Sequence, residues 1–393
     1  MEVLSLFLIL LGLSFILSEF FKSRRIPKFI GPLLVGIIFG LPLLKPLIIE
    51  SANFISVFAE LGLLFLMFYT GLQIDLNVFR KKNYEPLVHG FLTFLLPFTL
   101  GFFATLYFGF SKFVALIAGI ALSITSEAIS ISILEEFNLK RKRIGKTILA
   151  AGLVDDIIGI LLLSVIISFI TFSNELMSLG FFFIELIVFI LVILIVRFIV
   201  IPKLLKFVNN KSESELLVSM ILLAILMALA ADYLGMSSVI GAVIAGILIR
   251  HVLNLTKKHY EEVKIEKLIR IISFEFFTVF FYIWVGFQAD FTLINPLLAI
   301  ILTLIAFLGK ILGSTLSGFF YKRRFEFSHL AGWGLNARGA LELAILEIAR
   351  QHGIIPIELY TAIVFVAITS AIISPLVFTF LIRKNHVLLK DNL

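Results

Sequence analysis

The stretch ILAAGLVDDIIGILLLSVII, residues 148–167, decides what kind of protein this is. A helix that crosses the hydrocarbon core of a bilayer needs about 20 mostly apolar residues. Apart from Ser164, only Asp155 and Asp156 interrupt the apolar and small residues here. An aspartate at the middle of such a helix costs roughly 2.5–3.5 kcal/mol on insertion scales. Two adjacent acids are an expensive way to make one salt bridge, so the pair reads as functional.

The rest of the chain has the same character. It has 393 residues, 60% hydrophobic and 15% charged, with mean hydropathy +1.11. Soluble domains carry about 25% charged residues, so the fold class is an all-α polytopic membrane protein. The chain has no cysteine, which excludes disulfides and thiolate metal sites. The first apolar run follows only Met1 and Glu2 and has no small-residue cleavage site after it. It reads as a retained helix, not a signal peptide.

Hydropathy predicts about thirteen spans, at residues 3–21, 27–43, 53–72, 86–108, 112–134, 146–170, 176–200, 214–233, 237–250, 270–288, 295–320, 327–349 and 359–382. They form a single membrane domain over 1–393. Lysine and arginine orient it. With the N-terminus outside, three of the 33 (Lys45, Lys112 and Arg350) lie in outer loops and two (Lys310 and Arg338) lie within spans. The other 28 fall on the inner side, a strong positive-inside bias. The chain is expected in the plasma membrane with its C-terminus cytoplasmic. The net charge of +7 is then a topology signal, not a nucleic-acid surface.

The sequence also repeats. Residues 60–76 read ELGLLFLMFYTGLQIDL and residues 275–291 read EFFTVFFYIWVGFQADF. Glu60, Gly71, Gln73 and Asp75 recur as Glu275, Gly286, Gln288 and Asp290, at an offset of 215. Gly31 and Gly36 recur as Gly241 and Gly246 at an offset of 210, and AISISILEE recurs as ALELAILEI at 212. Three matches in one order give a first repeat at about 3–170, a linker helix at about 176–200 and a second repeat at about 214–382. Seven spans separate corresponding helices, so the two six-helix repeats are inverted. Inverted repeats are frequent in secondary transporters, with the site at mid-membrane between the halves.

Polar residues converge at that depth. Asp155 and Asp156 lie nine and ten residues from the inner end at Lys146, and Lys310 lies eleven from Tyr321. Thr125, Ser126 and Glu127 lie ten, nine and eight residues from Glu135, and Asn336 and Arg338 nine and eleven from Phe327. At 1.5 Å per residue all sit roughly 12–17 Å deep. The stretches SITSE and GLNARG put hydroxyl, amide and glycine residues there, in corresponding spans, which marks discontinuous helices able to coordinate ions. Structural roles compete with functional ones. A lone intramembrane Ser or Thr ordinarily bonds a neighbouring helix, and Arg338 has partners in freed carbonyls or in Glu127, Glu342 or Glu347. Glu60 and Glu275 read as helix-packing groups, Asp75 and Asp290 as caps or interface residues, and Glu185 as facing a partner subunit or snorkelling.

Adjacent helix residues point about 100° apart. One aspartate can therefore pair with Lys310 while the other faces a water-filled funnel. Such a carboxylate binds a proton or a small hard cation, but not both well. Oxygen donors suit an alkali cation, and no His or Cys cluster suggests a transition metal. Competition for one carboxylate, with alternating access, suffices for cation/proton exchange. This is transport, not enzyme catalysis, and it requires no cofactor.

GPLLVGIIFG, ELGLLFLMFYTGLQIDL, ALSITSEAISISIL, AAGLVDDIIGI, SSVIGAVIAGILI, LGKILGS and ARGALELAI, in that order, resemble the monovalent cation:proton antiporter superfamily, in its second branch of NhaA-like and Kef-type relatives. The resemblance implies an NhaA-like fold with a six-helix core domain, crossed discontinuous helices at spans 5 and 12, and a homodimer. It implies Asp156 as the main ligand of Na+ (or Li+) and protons, with Asp155 paired to Lys310; the depth count adds Thr125 and Ser126 to that site, with Glu127, Asn336 and Arg338 supporting the crossing. The Asp-Asp-Lys set implies electrogenic exchange and a role in pH homeostasis. Two features depart from the pattern. Glu127 is an acid where a small or apolar residue is expected. The chain also stops eleven residues after the last span, with no glycine-rich fingerprint of the nucleotide-binding regulatory domain of Kef-type systems. Potassium/proton exchange or Kef-type efflux is the alternative reading. An intramembrane aspartyl protease would draw its acids from two helices, and a non-transporting sensor would make the Asp-Asp-Lys set vestigial.

Overall fold

The computed structural model describes residues 3–24, 26–49, 51–74, 84–171, 187–203, 213–235, 237–253 and 267–384. Its helices include α1 (Val3–Ser23), α2 (Ile30–Gly40), α3 (Ala52–Gln73), α4 (Glu85–Tyr107), α5 (Lys112–Ser123), α6 (Glu127–Glu136) and α7 (Arg143–Thr171). After them come α8 (Glu213–Tyr233), α9 (Ser238–Leu253), α10 (Lys267–Gln288), α11 (Pro296–Phe320), α12 (Phe325–Gly334), α13 (Ala340–Gln351) and α14 (Ile357–Lys384). No β-strand occurs among the described residues. Among the described residues, seven helices (α1, α3, α4, α8, α10, α11 and α14) are long and apolar enough to cross a bilayer, and α7, with 29 residues, carries the two aspartates.

Most spans match their sequence reading to within a few residues. Span 2 is shorter than expected: α2 stops at Gly40, and Leu41 is extended, as a residue before proline prefers. The first part of span 7, 176–186, lies outside the described residues, and 187–203 is helical. Spans 5 and 12 are each broken in two. Ile124 and Ser126 are extended between α5 and α6, where β-branched and hydroxyl residues favour non-helical backbone. Residues 336–339 separate α12 from α13.

The chain forms two compact units. Lipid offers helices no hydrophobic reason to associate, so close approach through small residues supplies the packing. In the first unit (Met1–Ala52, Lys81–Gly159 and Tyr282–Leu393), α2 crosses α10 at Gly36 and Gly286. A side chain on Gly36 would strike the carbonyl of Ile283, and one on Gly286 that of Leu33. In the second unit (Asn53–Arg80 and Ile160–Phe281), α3 crosses α9 at Gly71 and Gly246, which lie against the carbonyls of Val243 and Phe68. Outward faces keep large apolar side chains such as Leu4, Phe15, Leu304 and Phe380 exposed. Beneath the broken helices, Ile129, Ile133, Ile148, Leu330, Leu335 and Phe378 form a buried cluster that fixes α6, α7, α12 and α14 to one another.

The α4–α11 contact matters most for the site, because α11 carries Lys310. A Cβ on Gly309 would lie 2.7 Å from Pro97 Cα, and one on Gly313 2.5 Å from Leu92 O. Overpacking a tight contact costs about 1–3 kcal/mol. Gly309→Val is expected to lower the thermal midpoint of the purified protein, whereas Gly12→Ala, with nothing within 4 Å, leaves it unchanged. Equal midpoints in a detergent melting assay would contradict this packing.

Candidate functional site

The two breaks meet. Ser126 N donates to Ala337 O at 2.7 Å, and Ser130 Oγ donates to Gly334 O at 2.7 Å. Each broken helix thus satisfies part of the other's freed backbone, as backbone polar groups away from water require. Thr125 is the joint between break and aspartates: its hydroxyl hydrogen is shared between Asp155 Oδ2 at 2.8 Å and Leu335 O at 2.9 Å. Lys310 Nζ bonds the same Asp155 oxygen, and both side chains are 0% exposed. Asp155 Oδ1 is buried with no hydrogen-bond partner among the described residues.

Asp156, next along α7, is 4% exposed and within electrostatic reach of Lys310. The structure therefore brings together Asp155, Asp156, Thr125 and Lys310, with Ser126 in the adjoining turn. Asn336 is also buried here; its Nδ2 donates to Phe307 O at 3.3 Å, and its Oδ1 has no partner among the described residues. Among the described partners weighed for it, the carbonyls, rather than Glu342 or Glu347, bond Arg338. Its guanidinium donates to Leu122 O at 2.6 Å, Asn336 O at 3.0 Å and Ala306 O at 3.1 Å. Leu122 lies in the last turn of α5, where unsatisfied carbonyls carry partial negative charge. A buried cation there takes the place of the missing helical continuation. Glu127 opens α6, and its side chain lies outside the described residues.

Glu347 does not reach Arg338. It is buried and accepts from Trp284 Nε1 at 2.9 Å, Tyr360 Oη at 3.1 Å and Arg350 Nη2 at 2.7 Å. This knot joins α10, α13 and α14. Glu347→Ala is expected to lower the thermal midpoint, since hydrogen bonds to a charged group are worth about 1.5–3 kcal/mol. Glu347→Gln, which keeps one acceptor oxygen, should lower it less; equal midpoints for all three proteins would contradict the knot.

Other expectations fare differently. Glu60 and Glu275 are exposed on the surface of the chain, so helix packing does not bury them. Glu275 lies in a π-helical stretch, Ile271–Phe277, whose wide turn shifts the side chains around the axis. Asp290 closes the turn after α10, and the Thr292 hydroxyl and amide hold its carboxyl below the usual carboxylate range. Asp75 and Glu185 lie outside the described residues.

The sequence reading passed over two groups besides the Glu347 knot. Glu85 is buried and held by Arg143 and Arg323, and His89 is buried against Ser314. Their spacing of four on α4 was visible, but both lie off the depth at which polar residues were counted.

Among the described residues, no three His, Cys, Asp or Glu side chains form a metal cage. Two carboxylates with hydroxyl and backbone oxygens suit a monovalent cation that must also leave.

The family model described as "Sodium/hydrogen exchanger, transmembrane" matches residues 4–384. A Na(+)/H(+) antiporter of Enterococcus hirae is 31% identical, covering 98% of this chain and 100% of that protein. The Na(+)/H(+)-K(+) antiporter GerN of Bacillus cereus is 28% identical over 89% of this chain and 88% of its own. The solved sodium proton antiporter MjNhaP1 of Methanocaldococcus jannaschii, at pH 8, shares the fold with a TM-score of 0.64 and 18% identity, over 98% of this chain and 97% of that one.

Proposed function

The chain belongs to the sodium/hydrogen exchanger family, and from that premise we propose that it exchanges sodium for protons across a membrane by alternating access. The observation that carries the reading is the buried Asp155–Lys310 pair, tied by Thr125 to the meeting point of two broken helices. Asp156, beside it but pointing about 100° away, is the carboxylate for which sodium and protons compete. Thr125, Ser126 and backbone oxygens complete its oxygen environment. Arg338 and Asn336 hold the crossing, and no cofactor takes part.

Finer features follow from the same reading. The packing supports inverted repeats: Gly36 and Gly246 correspond between the halves, as do Gly71 and Gly286, and the contacts pair Gly36 with Gly286 and Gly246 with Gly71. The positive-inside bias supports a plasma-membrane protein with its N-terminus outside and about thirteen spans. Family kinship supports a homodimer. Breaking the Asp155–Lys310 pair each time sodium binds would move an extra proton and make exchange electrogenic.

The second reading, potassium for protons, is favoured by the name of the Bacillus cereus relative, which includes potassium. Purified protein in proteoliposomes with a proton gradient separates the two. Sodium and lithium are expected to dissipate the gradient, with potassium weaker by at least tenfold. Dissipation by potassium alone supports the second reading, and no response to any of the three overturns both.

A further inference from the structure

α4 turns a polar stripe toward α11. Glu85, His89 and Thr93 recur every four residues, on one helical face, and all are buried. Glu85, in the first turn, is answered by Arg143 and Arg323. One turn deeper, His89 is 3% exposed, and its Nε2 lies 3.2 Å from Ser314 Oγ. Ser314 stands one turn beyond Lys310 on α11, about 6 Å along the axis. His89 therefore lies between the Glu85 ion cluster and the Lys310–Asp155 pair.

The hydrogen bonds fix its ring. The Ser314 hydroxyl has one hydrogen and donates it to Ser328 O, which can only accept, across an Oγ-to-O distance of 2.5 Å. With that hydrogen committed, His89 Nε2 must carry the N–H that donates to Ser314 Oγ. Only Nδ1 is left to take up or release a proton. A proton there creates a second cation that interacts electrostatically with Lys310.

We propose that His89 is a positioning residue through which acidity acts on the Lys310–Asp155 pair. The proposal rests on the exchange reading above. Neutral His89 leaves the pair free to open when sodium arrives. Protonated His89 adds a positive charge beside the site, which disfavours the arrival of a further cation, so sodium uptake falls in acid. The groups around it point the same way. Lys310 faces it from α11, with Asp155 of α7 behind. Glu85, on its own helix, is already matched by Arg143 and Arg323. α5 has no titratable side chain beyond Lys112 at its start. On α12, His329 stacks on Phe325 and accepts from Trp333 Nε1 at 3.2 Å.

The test is the pH profile of sodium-driven proton flux in proteoliposomes. His89→Gln keeps an N–H for Ser314 but cannot be protonated. Its maximal rate should stay within about twofold of wild type, while the acid limb moves to lower pH by at least about half a unit. Ser314→Ala, a small change, deprives the imidazolium of one hydrogen bond and should move the acid limb the same way. It carries the test if His89→Gln does not fold. A folded variant whose profile superimposes on wild type overturns the role of His89, as does a lowered rate with an unmoved acid limb. Absence of exchange in wild type would instead overturn the exchange reading.

Discussion

Asp156→Asn protein, purified and monodisperse, is expected to retain no more than a few per cent of wild-type sodium-driven proton flux. Asparagine keeps the size and a carbonyl oxygen but removes both the charge that holds the cation and the site that carries the proton. The fold should survive. A neutral amide is cheaper than a carboxylate at mid-membrane, and α7 is held by contacts the change does not touch: Gly90 packs on Val154, and Gly159 on Ile124. The thermal midpoint should therefore be equal to wild type or higher. A monodisperse mutant that exchanges at a tenth of the wild-type rate or more would remove Asp156 from the centre of the mechanism.

Asp155→Asn should behave differently, because Asp155 is the counter-ion of a lysine that is 0% exposed. Removing one partner of a buried pair costs about 3–5 kcal/mol, whereas replacing both with neutral groups can be nearly neutral. The single variants Asp155→Asn and Lys310→Gln are thus expected to melt well below wild type, and the double variant to recover much of the loss, a coupling that a double-mutant cycle reads directly. On the proposed mechanism the same pair makes the cycle electrogenic. Moving one net charge through 100 mV is worth about 2.3 kcal/mol, so a 60 mV inside-negative potential should shift the balance point of wild-type exchange by about tenfold. The double variant, if it transports, should lose that shift. Additive losses of stability, or a wild-type balance point indifferent to potential, would contradict the role given to this pair.

Much of the site was legible in the sequence because membrane depth can be counted. Asp155, Thr125 and Lys310 were placed at one level by their distances from inner loops, and the structure joins them. The breaks at 124–126 and 336–339 were legible because hydroxyl, amide and glycine residues do not belong in the middle of an apolar span. Partner choice was not legible. Arg338 bonds backbone carbonyls, which every residue has, so the nearby acids of the sequence were poor guides. The contacts of Glu85 with Arg323 and of Trp284 with Glu347 cross 238 and 63 residues of chain, and no periodicity encodes them. Glu60 and Glu275 read as helix-packing groups, yet both are exposed: a position along a helix does not by itself say which way the side chain faces.

The central claim is that sodium and protons compete for Asp156, and proton release on sodium binding tests it most directly. Purified protein in weakly buffered detergent solution, near the pH where exchange is half-maximal, is titrated with sodium chloride against a choline chloride control. Wild type is expected to release protons saturably as sodium binds, with apparent sodium affinity falling as pH is lowered, and Asp156→Asn to release none. Saturable sodium binding without proton release, or the same release from Asp156→Asn, would contradict the account.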